Sequence, residues 1–273
     1  MIREAPKALR ISHVGLRGIV GSGLTASHVL DFACAFGTFL EPGGQVVIGR
    51  DPRASGIMIR EGVIAGLLAC GRDVVDLGIA PTPVIQHSIR RLDAAGGVSI
   101  GASHNASEWN ALKFLGRQGT YLSTAEAGEL LDIYHLRKFD LLEWTALGKL
   151  RTERGAIDLY LDDLARVYDF DSLRGCRVVV DCCNGTSSLI LRRSNERFGT
   201  SFILINEKIE GVAFAHEPST TRDAVGLQLA PLIQPLDADA GFLFDVDSDR
   251  VAFATDEGSP VTRSPASADR RCR

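Results

Sequence analysis

Ala94-Ala-Gly-Gly-Val-Ser-Ile100 runs directly into Gly101-Ala-Ser-His-Asn-Ala-Ser-Glu-Trp-Asn-Ala-Leu-Lys113, and the architecture follows from that junction. The first part is a mostly apolar run of strand length, which reads as a buried strand. Just past it come a hydroxyl (Ser103), an imidazole (His104), two carboxamides (Asn105, Asn110) and an amine (Lys113). Polar side chains crowded at the end of a buried strand are what an α/β protein presents at its ligand edge. On these residues alone a catalytic loop and a plain polar surface loop both stand.

A second junction has the same form. Ala240-Gly-Phe-Leu-Phe244 is an apolar strand that runs into Asp245-Val-Asp-Ser-Asp-Arg250. Three carboxylates on alternate residues repel one another, and hard oxygen ligands at this spacing suit Mg²⁺. A solvated acidic turn is the competing reading, but such a turn seldom follows so apolar a strand.

Working outward, Ala26 to Leu40 has apolar residues at helical spacing and is stopped by Glu41-Pro-Gly-Gly44. Gln45–Ile48 reads as a strand, Ile57–Cys70 as a helix, Asp73–Leu77 as a strand, and the stretch from Pro83 as another helix. This alternation predicts a sheet with parallel strands and crossover helices, closed by the strand that ends at Ile100. Phe114 to Leu122 predicts a hairpin turning near Arg117 to Gly119, and Ser123-Thr-Ala-Glu126 a capping box. Lys138 to Thr152 is polar and unpatterned, a linker. Beyond it the α/β pattern returns: a helix over Ile157–Tyr168, strands at Arg177–Asp181, Ser201–Ile205 and Phe242–Phe244, and a helix over Ala224–Leu236. The expected organisation is two successive mixed α/β/α sandwich domains, residues 1–145 and 152–260, with an irregular tail over 261–273.

The chain has 273 residues, 45% of them apolar and 23% charged, with a net charge of −4. It can bury a core, and it offers neither the basic face of a nucleic-acid binder nor the cationic helix of a membrane-surface protein. Asp31 interrupts the apolar stretch Val29–Leu40, so nothing is long enough to span a bilayer. Met1 to Arg10 is polar and mixed in charge, without the apolar segment of a signal peptide. The six cysteines show no metal-ligand spacing, and free thiols in a cytoplasmic protein are expected.

The two junctions together resemble the α-D-phosphohexomutases, most closely a phosphoglucosamine mutase subgroup. Their loop Thr-Ala-Ser-His-Asn-Pro with Asn-Gly-x-Lys is matched by Gly101–Ala106 and Asn110–Lys113, and their Asp-x-Asp-x-Asp-Arg by Asp245–Arg250. Gly15-Leu16-Arg17-Gly18 matches a family Gly-Ile-Arg-Gly; by itself the glycine-rich stretch Ile11–Thr25 fits a phosphate-binding turn and a plain hairpin equally. Gly49-Arg-Asp-Pro-Arg-Ala-Ser-Gly56 matches another family loop, in which Arg50 and Arg53 are read first as scaffold. The resemblance implies that Ser103 carries a phosphoryl group and that Asp245, Asp247 and Asp249, with the modified Ser103, hold Mg²⁺. It implies that Arg17 and Lys113 touch the transferring oxygens, and that His104 either bonds the phosphoryl group or braces the loop. Asn105, Asn110 and Arg250 would contact phosphate. The implied reaction interconverts hexose 6-phosphate and hexose 1-phosphate, glucosamine phosphate by preference, with a hexose 1,6-bisphosphate as activator.

Two departures are local. Gly101 replaces Thr and Ala106 replaces Pro, which predicts a freer loop backbone and slower phosphorylation. A third concerns the end of the chain. The family's sugar-recognition and distal phosphate-binding loops are not found, and the sequence after Pro260 has no apolar period. The expectation is a truncated or frameshifted terminus with little turnover, or a remnant that only binds Mg²⁺ and sugar phosphate. A phosphatase with Asp245 as nucleophile and Asp247 as acid/base is the remaining alternative; it leaves the Ser103 stretch unexplained.

Overall fold

The computed structural model describes residues 9–261, so the irregular tail expected over 261–273 lies outside the described residues from 262 on. The first unit contains β1 (Arg10–Ser12), β2 (Gly15–Ile19), α1 (Ala26–Phe39), β3 (Gln45–Arg50), α2 (Gly56–Ala69), β4 (Asp73–Ile79), α3 (Thr82–Arg91), β5 (Gly96–Ile100), β6 (Trp109–Gly116), α4 (Thr124–Leu136) and β7 (Leu150–Thr152). Its sheet has the order β1-β2-β6-β5-β3-β4-β7. Strands β5, β3, β4 and β7 run parallel, while β6, β2 and β1 continue the sheet antiparallel. The parallel expectation therefore holds for one half of the sheet. The other half is antiparallel because β6 follows β5 after a short loop, with no crossover helix between them.

Alternation along the strands makes this sheet the middle layer of a sandwich. Val46 and Ile48 of β3 pack with Phe32, Phe36 and Val63 of α1 and α2, whereas Val47 between them packs with Val84, Ile85 and Ile89 of α3. Helix starts follow local chemistry. Thr25 accepts from the His28 backbone N–H at α1, and Ser123 with Glu126 forms the expected capping box at α4.

The second unit comprises α5 (Ala156–Ala165), β8 (Arg177–Asp181), α6 (Ser187–Phe198), β9 (Ser201–Ile205), α7 (Arg222–Ala224), a π turn (Val225–Leu229), α8 (Ala230–Ile233), β10 (Ala240–Phe244), β11 (Val251–Thr255) and β12 (Pro260–Val261). Its sheet order is β12-β11-β10-β8-β9, with β10, β8 and β9 parallel. The helix expected over Ala224–Leu236 is shorter and contains the π turn. Pro231, which has no N–H to donate to the preceding turn, explains the break in the ladder.

Both sheets reverse direction at their centre. From β3 the chain moves to β4 through α2 on one face, then returns through α3 on the other face to β5, on the far side of β3. From β8 it moves to β9 through α6, then returns through the 222–233 helical segment to β10. Each sheet thus has a switch point at its carboxyl edge, where α/β folds leave room for a ligand. The Ser103 loop leaves β5 at one, and the Asp245 loop leaves β10 at the other.

Three expectations change in detail. The Phe114–Leu122 hairpin reduces to a tight turn, in which the Gly116 N–H donates to the Thr120 carbonyl at 2.9 Å and a single bridge joins Leu115 to Tyr121. The linker 138–152 is not featureless, since β7 within it extends the first sheet beside β4. Ile11–Ile19 is the hairpin β1–β2, with Arg17 on its second strand facing the cleft described next. No helix among the described residues is long and apolar enough to cross a membrane, and Cys34, Cys70, Cys176, Cys182 and Cys183 are free thiols.

Candidate active site

A cleft of about 240 Å³ opens where the two loops meet. Its walls are the β1–β2 hairpin with Arg17, the stretch Gly101–His104, Ala111–Lys113 of β6, Tyr121, and Asp249 with Arg250. Strand β6 places Lys113 opposite Ser99 of β5 and Gly15 of β2, so the amine comes from a rigid central strand and not from the loop.

Ser103 is buried and left-handed at φ 51°, an uncommon conformation for a residue with a side chain. Its hydroxyl donates to Asp245 and lies 3.3 Å from Asp249 Oδ1 and 3.4 Å from His104 Nδ1. The Lys113 ammonium bridges Asp247 and Asp249, 2.6 Å from Asp249 Oδ2. Tyr121 donates its hydroxyl proton to the same Asp249 oxygen at 3.3 Å. Arg250 reaches His104 Nδ1 at 2.8 Å, and Arg17 donates to Asn105 Oδ1 at 3.5 Å.

The electrostatics follow from this crowding. Burial, then Asp247 and Asp249, push the Asp245 carboxyl up to about 8. Burial would lower the Lys113 ammonium, but Asp247 and Asp249 outweigh it and hold it above the usual lysine range. Burial would raise Asp249, but Lys113 outweighs it and keeps that carboxyl below the usual range. Burial first, then Arg250 and Arg17, keep His104 below an ordinary imidazole. Burial first also drives the Tyr121 hydroxyl up to about 12.

The donor set fits a hard divalent cation. One carboxylate oxygen from each of Asp245, Asp247 and Asp249 lies within 4.8 Å of the others. Asp247 Oδ1 is buried with no partner, although buried polar atoms are normally bonded. Lys113 offsets part of the negative charge, and a cation among these oxygens would offset the rest.

The Asp245–Arg250 loop is held from behind by Gly185 and Thr186 after β8. The Thr186 N–H donates to the Val246 carbonyl at 2.9 Å, and a side chain on Gly185 would put its Cβ 2.5 Å from that carbonyl oxygen. Across the units, the Thr82 N–H at the start of α3 donates to the Asp247 carbonyl at 2.9 Å.

Most of the sequence-predicted residues thus converge, with two corrections. Asn110 does not face the cleft. It is fully buried, donates to Ser55 Oγ at 2.9 Å and accepts from the Ala111 N–H at 2.8 Å, so it braces β6. Gly101 does not loosen the loop, because a Cβ there would lie 2.7 Å from Asp51 Oδ2. Asp245 and Asp247 sit buried behind Ser103, away from the cleft wall, which disfavours either as a nucleophile. Sequence reasoning missed Tyr121, which lies in the turn after β6 and carries no motif. His216 lies outside the cleft and plays a structural part: its Nε2 bonds Asp181 Oδ2 at 2.9 Å.

Comparison with known proteins identifies the family to which the two units belong. The profile described as phosphoglucomutase/phosphomannomutase, alpha/beta/alpha domain I, matches residues 11–140, and that of domain II matches residues 158–258. Two paired α/β/α domains of this class therefore span nearly all the described residues. The chain belongs to the phosphoglucomutase/phosphomannomutase family. It is 35% identical over 247 residues to a Pyrococcus abyssi protein named "Probable phosphoglucosamine mutase", covering 90% of this chain and 53% of that one. It is 34% identical to a phosphoglucomutase/phosphomannomutase of Thermococcus kodakarensis, covering 89% and 54%. The crystal structure of a phosphoglucomutase/phosphomannomutase family protein from Burkholderia thailandensis superposes with a TM-score of 0.79 at 25% identity, over 92% of this chain and 57% of that one. The chain spans about half the length of the curated relatives it matches.

Proposed function

We propose that this chain carries the phosphoserine and metal half of a phosphohexomutase, with Ser103 as the residue that gives and receives the phosphoryl group. Residues 1–145 would supply the nucleophile and 152–260 the metal loop. The observation that carries the reading is the convergence of Ser103, Lys113, Asp245, Asp247 and Asp249 across two separate units, since a buried hydroxyl bonded to two of three clustered carboxylates has no packing rationale.

In this reading the bond from phosphorus to Ser103 Oγ breaks as a bond to a sugar hydroxyl oxygen forms, and the return step reverses it at the sugar's other position. Such transfer depends on positioning and charge more than on covalent help. Mg²⁺, held by Asp245, Asp247 and Asp249, would offset the charge on the phosphoryl oxygens. Lys113, kept as an ammonium by its two carboxylates, can give a proton to Ser103 Oγ as that oxygen leaves and regain the one released by the attacking sugar hydroxyl. Arg17 and Arg250 flank the cleft as cations for phosphate oxygens, and Arg250 holds His104. Asn105 meets Arg17 and orients it.

The substrate is a hexose phosphate, with glucosamine phosphate preferred on the likeness of Trp109–Lys113 to phosphoglucosamine mutases and on the names of relatives. Arg17, Lys113 and Arg250 gather around Ser103, so the half-reaction at that residue is the part assigned to this stretch. The test is discharge: chain labelled on Ser103 is mixed with Mg²⁺ and glucosamine, glucose or mannose 6-phosphate. Fastest transfer of label to glucosamine 6-phosphate supports the reading; label retained with all three sugars opposes it.

A further inference from the structure

We propose that Arg53 is a positioning residue for Ser103, its buried guanidinium fixing the loop in the one conformation from which the hydroxyl meets Asp245 and Asp249. The inference rests on the phosphoserine reading for its catalytic consequence, but its structural part stands independently.

Arg53 is completely buried. A guanidinium is placed there at a cost unless it is paired and its hydrogens are bonded. One end pairs with the equally buried Asp51. The other end, Nη2, donates to two carbonyls of the loop, that of Ser103 at 3.1 Å and, two residues on, that of Asn105. These carbonyls lie at and just after the left-handed residue Ser103, a backbone state that persists only where its surroundings enforce it. Asp51 is fixed in turn: its N–H donates to the Ile100 carbonyl at 2.8 Å, and its carboxylate accepts from the Arg53 N–H at 3.0 Å. The pair therefore ties the last residue of β5 to the loop that leaves it.

The guanidinium also lies over the ring of Phe214, 5.1 Å from its centroid, and the neighbouring Ala54 N–H donates to the Gly211 carbonyl at 3.1 Å. Both partners belong to the second unit, the one that carries the metal loop. Arg53 thus links the loop that bears the hydroxyl to the unit that bears the carboxylates. Lysine can keep the ion pair with Asp51, but it lacks the planar fork needed to serve both carbonyls at once.

The test uses Arg53→Lys in the full chain, with the charge-free double variant Asp51→Asn/Arg53→Met as a second route if the first folds poorly. Hydrogen exchange is followed at two bonded loop amides, Gly101, which donates to Ala111 on β6, and Asn105, which donates to Ala102. Phosphorylation of Ser103 by a hexose 1,6-bisphosphate with Mg²⁺ is followed by intact mass. The expected result is exchange faster by about tenfold confined to residues 101–108, the effect of losing a hydrogen bond to a charged group. The saturating phosphorylation rate should fall by a similar factor, with the bisphosphate concentration for half-saturation unchanged. Unaltered loop exchange in both variants, or acceleration spread evenly over β5, β6 and the helices, overturns the inference and leaves Arg53 a general structural brace. If the parent chain takes no phosphate, the function reading fails, while loop exchange still decides the role of Arg53.

Discussion

Lys113→Met makes the charge balance of the site measurable. The ammonium bridges Asp247 and Asp249, with lysine, Asp247 and Asp249 side chains 10%, 2% and 19% exposed. Removing one partner of a buried pair costs about 3–5 kcal/mol. The one-fifth exposure of Asp249 lets water relieve part of that, so the lower end, about 3 kcal/mol, applies. At about 2–4 °C per kcal/mol for a chain of this size, the melting temperature in EDTA should drop by about 6–12 °C. Millimolar Mg²⁺ should then stabilise the variant more than the parent, because the cation meets three carboxylates with no competing ammonium. Thermal melts and urea denaturation followed by circular dichroism, with EDTA and with Mg²⁺, give the temperature shift and the free energies. A loss below about 1 kcal/mol in EDTA, or an equal Mg²⁺ gain in parent and variant, would refute the reasoning.

Asp245→Asn keeps an acceptor for the Ser103 hydroxyl while removing the carboxyl that burial and its neighbours push up to about 8. A raised carboxyl pKa works against folding above its unfolded value, so without metal the variant should be more stable than the parent at neutral pH, and thermal melts should show its Mg²⁺ response lost. Gly101→Ala should cost about 1–3 kcal/mol in urea denaturation, because its methyl group would meet Asp51, which Arg53 holds in place. The Asp181 carboxylate raises the His216 imidazole above 6.5. That contribution is fully present below the unfolded value and is lost as pH rises through the higher folded value. His216→Gln should therefore destabilise more at pH values below 6.5 than in alkaline buffer, and equal losses across a pH series would contradict the assignment.

Much of this arrangement is readable from residue order because the signals are local. The period-two and helical-period runs from Ala26 to Ile100 depend only on neighbouring residues, and so does the capping box at Ser123. The carboxylate cluster was legible because mutual repulsion at alternate positions needs an explanation whatever the fold. What stayed hidden depends on contacts distant in sequence. Asn110 looks like a ligand in a polar motif, but its orientation is set by Ser55 on another segment. Gly101 looks permissive until Asp51 is placed against it. Tyr121 enters the site only because the turn at Gly116–Gly119 folds back beside Asp249. The antiparallel half of the first sheet was obscured because Trp109–Lys113 was read as loop, although the same residues form a buried strand.

The most direct measurement is intact-mass and phosphopeptide mapping after incubation with Mg²⁺ and a hexose 1,6-bisphosphate, on the parent, on Ser103→Ala and in EDTA. The account predicts one added phosphoryl group, mapped to Ser103, stable to acid and hydroxylamine as a serine ester is, and lost in both controls. No adduct under conditions that label a full-length relative, or an adduct on an aspartate that hydroxylamine removes, would contradict it.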